Sequence, residues 1–168
     1  MKKYLFFIAV SFFTINYADF SYANPQYDPV QLRQFSQNNK CISCDLSGAM
    51  LYYGSIMNHS KCDLNGSDMS AASGGSMIFT GCNFSNTRDS SAGFNQSDFS
   101  SANFEYAVLI GSNLSFSIFE NADFDGAVVM NGDCTGADLF RSNITPAQLA
   151  TAKSICGAIL PDGNKGKC

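Results

Sequence analysis

Residues 92–126 read AGFNQ SDFSS ANFEY AVLIG SNLSF SIFEN ADFDG, and their large apolar residues are spaced by five. The spacing continues from Phe94 to Ile144, and only Cys134 is smaller than the other central residues. An alanine or serine stands two positions before each centre, except at Gly132. A period of five fits neither an α-helix nor a flat strand. It predicts a solenoid in which each side chain packs on its copy in the next turn.

Each unit reads as a small residue, Asp or Asn, a large apolar residue and two variable residues, as in Ala102–Tyr106 and Ala122–Gly126. Over about residues 41–146, this sequence pattern resembles that of the pentapeptide-repeat family, whose consensus is A-(D/N)-L-x-x. The resemblance implies an all-β solenoid, a right-handed quadrilateral β-helix in which four units close one coil. The small and central residues would point inward and the other three positions would face water.

The units fall into two runs. The first run has three centres, Leu46, Leu51 and Ile56. The second begins at Cys62 and keeps its phase to Ile144, which gives 20 units in all and predicts about five coils. Three extra residues separate the runs, so we expect a loop at Asn58–Lys61 with His59 in solvent.

Stacking by twenty residues predicts two ladders of core side chains. Their members are Leu64, Phe84, Phe104, Phe124 and Ile144 in one, and Phe79, Phe99, Phe119 and Leu139 in the other. Asp89 falls on an inward position, where an unpaired carboxylate costs several kcal/mol. We expect Asp89 to turn outward, or to be satisfied by Arg88 or a backbone donor.

The chain divides into four predicted segments. Residues 1–23 have the positive start, apolar run and small-x-small ending of a secretory signal, with an uncleaved anchor as the alternative. Residues 24–43 form an N-terminal cap with a short helix after Asp28, residues 44–144 the β-helix, and residues 145–168 a C-terminal helical cap after Thr145. The protein is then exported to a periplasm, a lumen or the medium, with no integral membrane segment after cleavage.

Export makes disulfides possible for the seven cysteines. The resemblance implies a bracket between Cys41 and Cys44 before the first coil; free thiols or a redox or metal site are the alternatives. Whether Cys156 and Cys168 are bridged is open. Cys62 and Cys82 should stack as small apolar residues in adjacent coils. A zinc site needs four converging ligands, and the chain has one Cys-x-x-Cys and one histidine, so no metal is predicted.

Catalytic motifs are missing from the sequence. His59 is the only histidine, and no Walker loop, dinucleotide fingerprint or HExxH motif is present. We therefore predict no catalytic residue, no cofactor and no enzyme.

Outward positions are apolar on one predicted wall. The residues are Val108, Ile110, Val128 and Met130, with Tyr106 at the preceding corner. A contiguous exposed apolar patch often marks a contact surface, although scattered apolar residues are normal on surfaces. These five residues are candidates for an interface with a protein partner or a second copy, such as a homodimer.

Three functions remain in view. The first is an exported, non-enzymatic scaffold that binds an unknown protein. The second is a DNA mimic that binds a topoisomerase such as gyrase, as some relatives do; the repeats carry 11 acidic residues against 3 basic ones. The third is a thiol-disulfide redox protein using Cys41 and Cys44. After cleavage the chain would carry net charge −5, which disfavours binding to nucleic acid.

Overall fold

The computed structural model describes residues 27–51 and 58–168. The predicted signal peptide and the predicted centre Ile56 lie outside the described residues. Across the described part of the chain, none of the helices reaches the length and apolarity of a membrane span.

The backbone pairs with itself every twenty residues through single-residue parallel bridges. Four columns of bridged residues result, and each defines one wall of a right-handed β-helix. Wall A carries Asp63, Asn83, Asn103 and Asp123; wall B carries Asp68, Arg88, Val108 and Val128; wall C carries Ser73, Gly93, Asn113 and Asp133; wall D carries Ile78, Asp98, Ile118 and Asp138. Between bridges the chain turns a corner, so the described residues contain no strand longer than one bridge.

Each corner is a tight turn. At one of them the Ala107 N–H donates to the Phe104 carbonyl at 2.9 Å, and Tyr106 has φ 57°. A positive φ at the third residue is the feature of a type II turn, and glycine or asparagine is favoured there. The variable fifth residue of the unit is therefore the one that closes each corner.

The core is a set of stacked rings. Phe84 and Phe124 lie 4.9 and 5.2 Å from Phe104, centroid to centroid, with nearly parallel planes. On the neighbouring wall, Phe99 stacks between Phe79 and Phe119 at 5.1 Å on each side. The predicted phenylalanine ladders are confirmed. Rings of adjacent walls meet edge-on instead, so the two ladders also contact each other across the interior.

The first coil contains three residues more than the coils that follow it, but the insertion does not lie where the sequence suggested. Lys40, Asp45 and Met50 pair with partners 23 residues ahead, whereas Asn58 pairs with Ile78, 20 ahead. The extra residues therefore lie between Met50 and Asn58. Pairing also begins at Lys40, four residues before the predicted start of the β-helix.

His59 is consequently a core residue, and the prediction of a solvated loop histidine was wrong. It occupies the inward position below Phe79 and is 1% exposed. Its ring stacks on Phe35 at 4.4 Å and lies 5.9 Å from Phe79, while Nδ1 donates to Asn39 Oδ1 at 2.6 Å. Burial lowers the pKa of His59. A flat ring with one satisfied nitrogen can thus continue an aromatic ladder.

Helix α1, Pro29–Asn38, covers the N-terminal end of the column. Asp28 caps it, accepting from the Val30 N–H at 2.8 Å, and ties it to the first coil by donating its own N–H to the Asp45 carbonyl at 3.0 Å. Leu32 and Phe35 are buried on the core side. The predicted helix after Asp28 is present and runs three residues beyond Phe35.

Helix α2, Pro146–Leu149, is a single turn capped by Thr145. Gln148 Nε2 donates to the carbonyls of Phe124 and Ala127 at 2.7 and 2.9 Å, which fixes the turn against wall B. The chain then resumes the walls: Ser154 pairs with Asp133 and Ile159 with Asp138. The tail is therefore mostly a further coil, and its helical part is shorter than the sequence suggested.

Asp89 points inward and is 0% exposed. Arg88 does not neutralise it, because Arg88 Nε faces Asp68 Oδ2 at 3.6 Å. Its Oδ2 lies 2.5 Å from Thr87 Oγ1, which itself lies 2.7 Å from the Phe84 carbonyl. Thr87 has one hydroxyl proton for these two acceptors, and Asp89 Oδ1 is buried without a hydrogen-bond partner, so the site favours the neutral, protonated carboxyl group. The three predicted solutions for Asp89, an outward turn, Arg88 or a backbone donor, were wrong, because the coil fixes its direction and the Thr87 side chain is its partner.

Burial raises the pKa of Asp89 from its ordinary value of 3.8 to about 7; the hydrogen bond to Thr87 opposes this rise and the Asp68 charge adds to it. Between about pH 4 and pH 7, Asp89 therefore holds a proton in the folded protein that it has lost in the unfolded chain. Its free energy of unfolding falls as pH rises through that window and levels off above it.

Truncating a ladder ring should destabilise the column. Phe104→Ala leaves a cavity between Phe84 and Phe124, and we expect a loss of about 3–5 kcal/mol in the free energy of unfolding by denaturant titration. Phe116→Ala is the matched control, because Phe116 is 62% exposed, and its loss should be about 1 kcal/mol or less. Equal losses for the two variants would contradict a ladder core.

Replacing Asp89 should flatten the pH dependence of stability. Wild type should lose up to roughly 4 kcal/mol between about pH 4 and pH 7 from this group alone. Asp89→Asn cannot ionise, so its unfolding free energy should lack that slope and exceed that of wild type at pH 8. Asp98→Asn, an outward acid on wall D, is the control and should keep the wild-type slope. A slope retained in Asp89→Asn would show that Asp89 is not the titrating group.

Candidate functional site

Wall B changes from charged to apolar along its length. Asp68 and Arg88 form a surface ion pair on the earlier coils, and Val108 and Val128 continue the same bridged column on the later coils. The apolar patch is defined here by five residues: Tyr106, Val108, Ile110, Val128 and Met130. The structure brings all five predicted interface residues to one wall and its corner.

The patch is most exposed at Val128 and Met130, on the later of its two coils, and at the corner residue Tyr106. Val128, Met130 and Tyr106 are 41%, 44% and 56% exposed, while Val108 and Ile110 are half-buried. The backbone aligns the second pair, since the Gly111 N–H donates to the Met130 carbonyl at 2.9 Å. Two aliphatic pairs therefore stand side by side on a surface whose backbone groups are already paired. Such a surface can bind an apolar partner without rearrangement.

Tyr106 is held over the next coil. A Cβ at Gly126 would collide with Cδ1 and Cε1 of the tyrosine ring, so the ring lies directly on this glycine. Phe116 lies in the same way over Gly136 at the opposite corner. A glycine at the corner is what lets a large ring fold down along the column. Tyr106 is thereby oriented beside the patch.

Sequence reasoning missed other exposed apolar side chains. Phe116 is 62% exposed and Ile118 42% exposed, and Ile118 stands on wall D between Asp98 and Asp138 in its column. An apolar residue at an outward position was the available signal. Asp98 separates Ile118 from Ile78 in this column, so these two isoleucines do not form a pair like Val108 and Val128 of wall B.

The cysteines of the described residues form three close pairs. The sulfur atoms of Cys41 and Cys44 are 1.96 Å apart, and those of Cys156 and Cys168 are 1.89 Å apart. The third pair joins adjacent coils at one inward column: Cys62 and Cys82, 2.26 Å apart. The sequence placed Cys62 and Cys82 one above the other but did not predict a bond.

Cys134 is left without a partner sulfur and is buried. Burial raises the pKa of its thiol to about 12, with a further contribution from Asp133. A thiol of that pKa in the core is a weak nucleophile. Over residues 27–51 and 58–168, no group of three or more His, Cys, Asp or Glu side chains could hold a metal ion.

Comparison with known families and structures adds to this geometry. The family model for pentapeptide repeats matches in 8 copies, over residues 78–115, 92–131 and 107–145. No curated protein matches the sequence.

The fold is similar to that of HetL, a pentapeptide repeat protein involved in heterocyst differentiation regulation from the cyanobacterium Nostoc sp. strain PCC 7120. The TM-score is 0.67 at 26% identity, over 75% of this chain and 57% of HetL. This chain therefore spans little more than half the length of HetL.

Two further solved structures match at lower TM-scores. Rfr23, from the cyanobacterium Cyanothece 51142, gives 0.31 at 20% identity, over 68% of this chain and 86% of Rfr23. A pentapeptide repeat protein of the Arabidopsis thaliana thylakoid lumen gives 0.29 at 18% identity, over 83% of this chain and 91% of that protein. Five-residue units, twenty-residue coils and the family match agree, and residues 78–145 of this chain belong to the pentapeptide-repeat family.

Proposed function

We propose that this protein is an exported, non-enzymatic scaffold, a column of about five coils with helices at both ends, that binds another protein chain through the apolar patch on wall B. The observation that carries the proposal is the stacking of Val108 with Val128 on one wall. Backbone amides of that wall are used up by the coils above and below, so binding there must use side chains. Aliphatic and tyrosine side chains supply the apolar contact that protein interfaces use.

The full core supports a role without catalysis. The inward positions of the coils are filled by the ladders, and an enzyme needs a concave site with converging polar groups. His59 is stacked between rings, and Asp89 is sealed in the core. Neither group can reach a substrate. We therefore assign the function to side chains on the surface.

A DNA mimic is less well supported. Mimicry of a duplex requires acids arranged along one side, whereas the column spreads them over four walls: Asp68 on wall B, Asp98 on wall D, Asp123 on wall A and Asp133 on wall C. On wall A each aspartate also has an asparagine of the next coil as a partner: Asn83 Nδ2 donates to Asp63 Oδ1 at 3.2 Å, and Asn143 Nδ2 donates to Asp123 Oδ1 at 2.6 Å. These bonds use the carboxylates within the column.

A thiol-disulfide enzyme is also less well supported. Cys41 is 0% exposed and Cys44 is 6% exposed, and exchange requires that a partner thiolate reach one of the sulfurs. The second coil covers this pair, since Ser67 Oγ donates to the Cys41 carbonyl at 2.6 Å and accepts from the Cys44 N–H at 3.1 Å. The position suits a bracket that holds α1 on the column.

Export is part of the proposal. It rests on the signal-like residues 1–23 and on the pairing of six of the seven cysteines within the folded chain. Disulfides persist in oxidising compartments such as the periplasm or the medium. A scaffold with three disulfide pairs is suited to such a compartment.

Site-specific photo-crosslinking can locate the contact surface. A photoreactive side chain at Val128 should give a crosslinked product with another protein chain, whether a second copy or a different protein. The same side chain at Ile118 should not, although Val128 and Ile118 are 41% and 42% exposed and occupy the same position in their units. Crosslinks of equal yield from both positions would remove the special role of wall B.

A charge on the patch should abolish the contact. Val128→Asp should fold with an unchanged melting temperature, because an outward position carries little packing, and should lose its crosslinked partner. If that partner is a second copy, the solution mass should fall from dimer to monomer by sedimentation, while Ile118→Asp keeps the wild-type mass. A Val128→Asp protein with the mass of a self-associated wild type would show that the patch is not the dimer surface.

A further inference from the structure

The C-terminal end of the column is open. Four inward residues end the four walls there, and no coil follows them: Ile144, Leu149, Ile155 and Leu160. Ile144 is 4% and Leu149 8% exposed, while Ile155 and Leu160 are half-buried. The N-terminal end differs, because there Phe35 of α1 stacks on His59 at 4.4 Å. Helix α2 takes a place in the last coil and does not lie across the end.

These four residues form the floor of a cavity of about 410 Å³, rimmed by residues that include Ala150 and Asp162. Small-molecule sites are typically concave, mostly apolar and about 300–1,000 Å³ in volume. The cavity fits that range at its lower end. Its floor is made of branched aliphatic side chains with no hydrogen-bonding group of their own. An occupant must therefore be apolar over most of its surface.

Asp162 is the ionisable side chain of the lining. Asn164 holds both of its oxygens: the backbone N–H donates to Oδ1 at 3.0 Å and Nδ2 donates to Oδ2 at 2.8 Å. These hydrogen bonds lower the pKa of Asp162, so the rim carries a fixed negative charge at neutral pH. The residues that line the cavity include no lysine or arginine.

The walls of the cavity are braced. Ile159 pairs with Lys165 in an antiparallel bridge, and the Gly166 N–H donates to the Ala158 carbonyl at 2.8 Å. The sulfurs of Cys156 and Cys168 are 1.89 Å apart at the base of this hairpin. A preformed site binds its ligand with a smaller entropic cost than one that must be ordered on binding.

We propose that this C-terminal cavity is a binding site for a small apolar cation, an aliphatic amine whose hydrocarbon part contacts Ile144, Leu149, Ile155 and Leu160 and whose ammonium group faces Asp162. The hydrocarbon supplies the affinity through burial. The carboxylate supplies the preference for positive charge.

Titration with three six-carbon probes tests the proposal on the full chain with its disulfides formed. Hexylamine, hexanol and hexanoate share their hydrocarbon and differ in charge. Followed through the NMR methyl signals of Ile144, Leu149, Ile155 and Leu160, hexylamine should bind most tightly and hexanoate least. Pentylamine should bind about three- to fourfold more weakly than hexylamine, because one buried methylene is lost.

Two variants separate the hydrocarbon from the charge. Ala150→Phe should fill the cavity and abolish binding of all probes, whereas Ala147→Phe, on the same helical turn but outside the lining, should bind as wild type does. Asp162→Asn should weaken the binding of hexylamine about two- to fivefold and leave the binding of hexanol unchanged. Melting curves check that each variant is folded.

Several results would overturn the proposal. No saturable shift of the four methyl signals means that the cavity is not a ligand site. Equal affinity for hexylamine and hexanoate would show that the cavity does not select a cation. An Asp162→Asn protein with the wild-type preference for hexylamine over hexanol would show that Asp162 is not the group that faces the ammonium. A wild type that dimerises through this end, shown by a monomeric Ala150→Phe and a dimeric Ala147→Phe, means that a second copy occupies the cavity instead.

Discussion

Parallel pairing of one residue in each unit with its copy in the next coil, twenty positions ahead in the central coils, is the constraint on which the rest of the structure depends. It places every inward side chain on its own copy, so that a run of phenylalanines at a spacing of five becomes two continuous stacks of rings. It also uses up the backbone donors and acceptors of each wall within the column. The surface therefore differs from place to place only through its outward side chains, and the outward side chains are where function must be sought.

The period made most of the fold predictable. The ladders, the small inward positions and the alignment of Val108 with Val128 all follow from counting by twenty. The position of the three-residue insertion does not, because a period gives no information on where it is interrupted. Asn58–Lys61 lacks an apolar centre and so resembled a loop, yet His59 fills the centre by stacking between Phe35 and Phe79.

Local chemistry explains the other differences. Asp89 stays inward because the coil sets its direction and Thr87 lies two residues away with a hydroxyl group. Cys62 and Cys82 stand in one inward column, and only the backbone spacing of neighbouring coils shows how near their sulfurs lie. The open C-terminal end could not be seen in the sequence either, since a helix start after Thr145 does not reveal whether the helix crosses the end or joins a wall.

The central claim is that this column works outside the cytoplasm as a disulfide-braced scaffold. Intact-mass analysis of the protein from fractionated cells, with thiols counted after denaturation, tests it most directly. We predict a species that starts at Asn24, lies outside the cytoplasm and has one free thiol, that of Cys134. A full-length cytoplasmic species with all seven thiols reduced would contradict it and direct attention to an intracellular target.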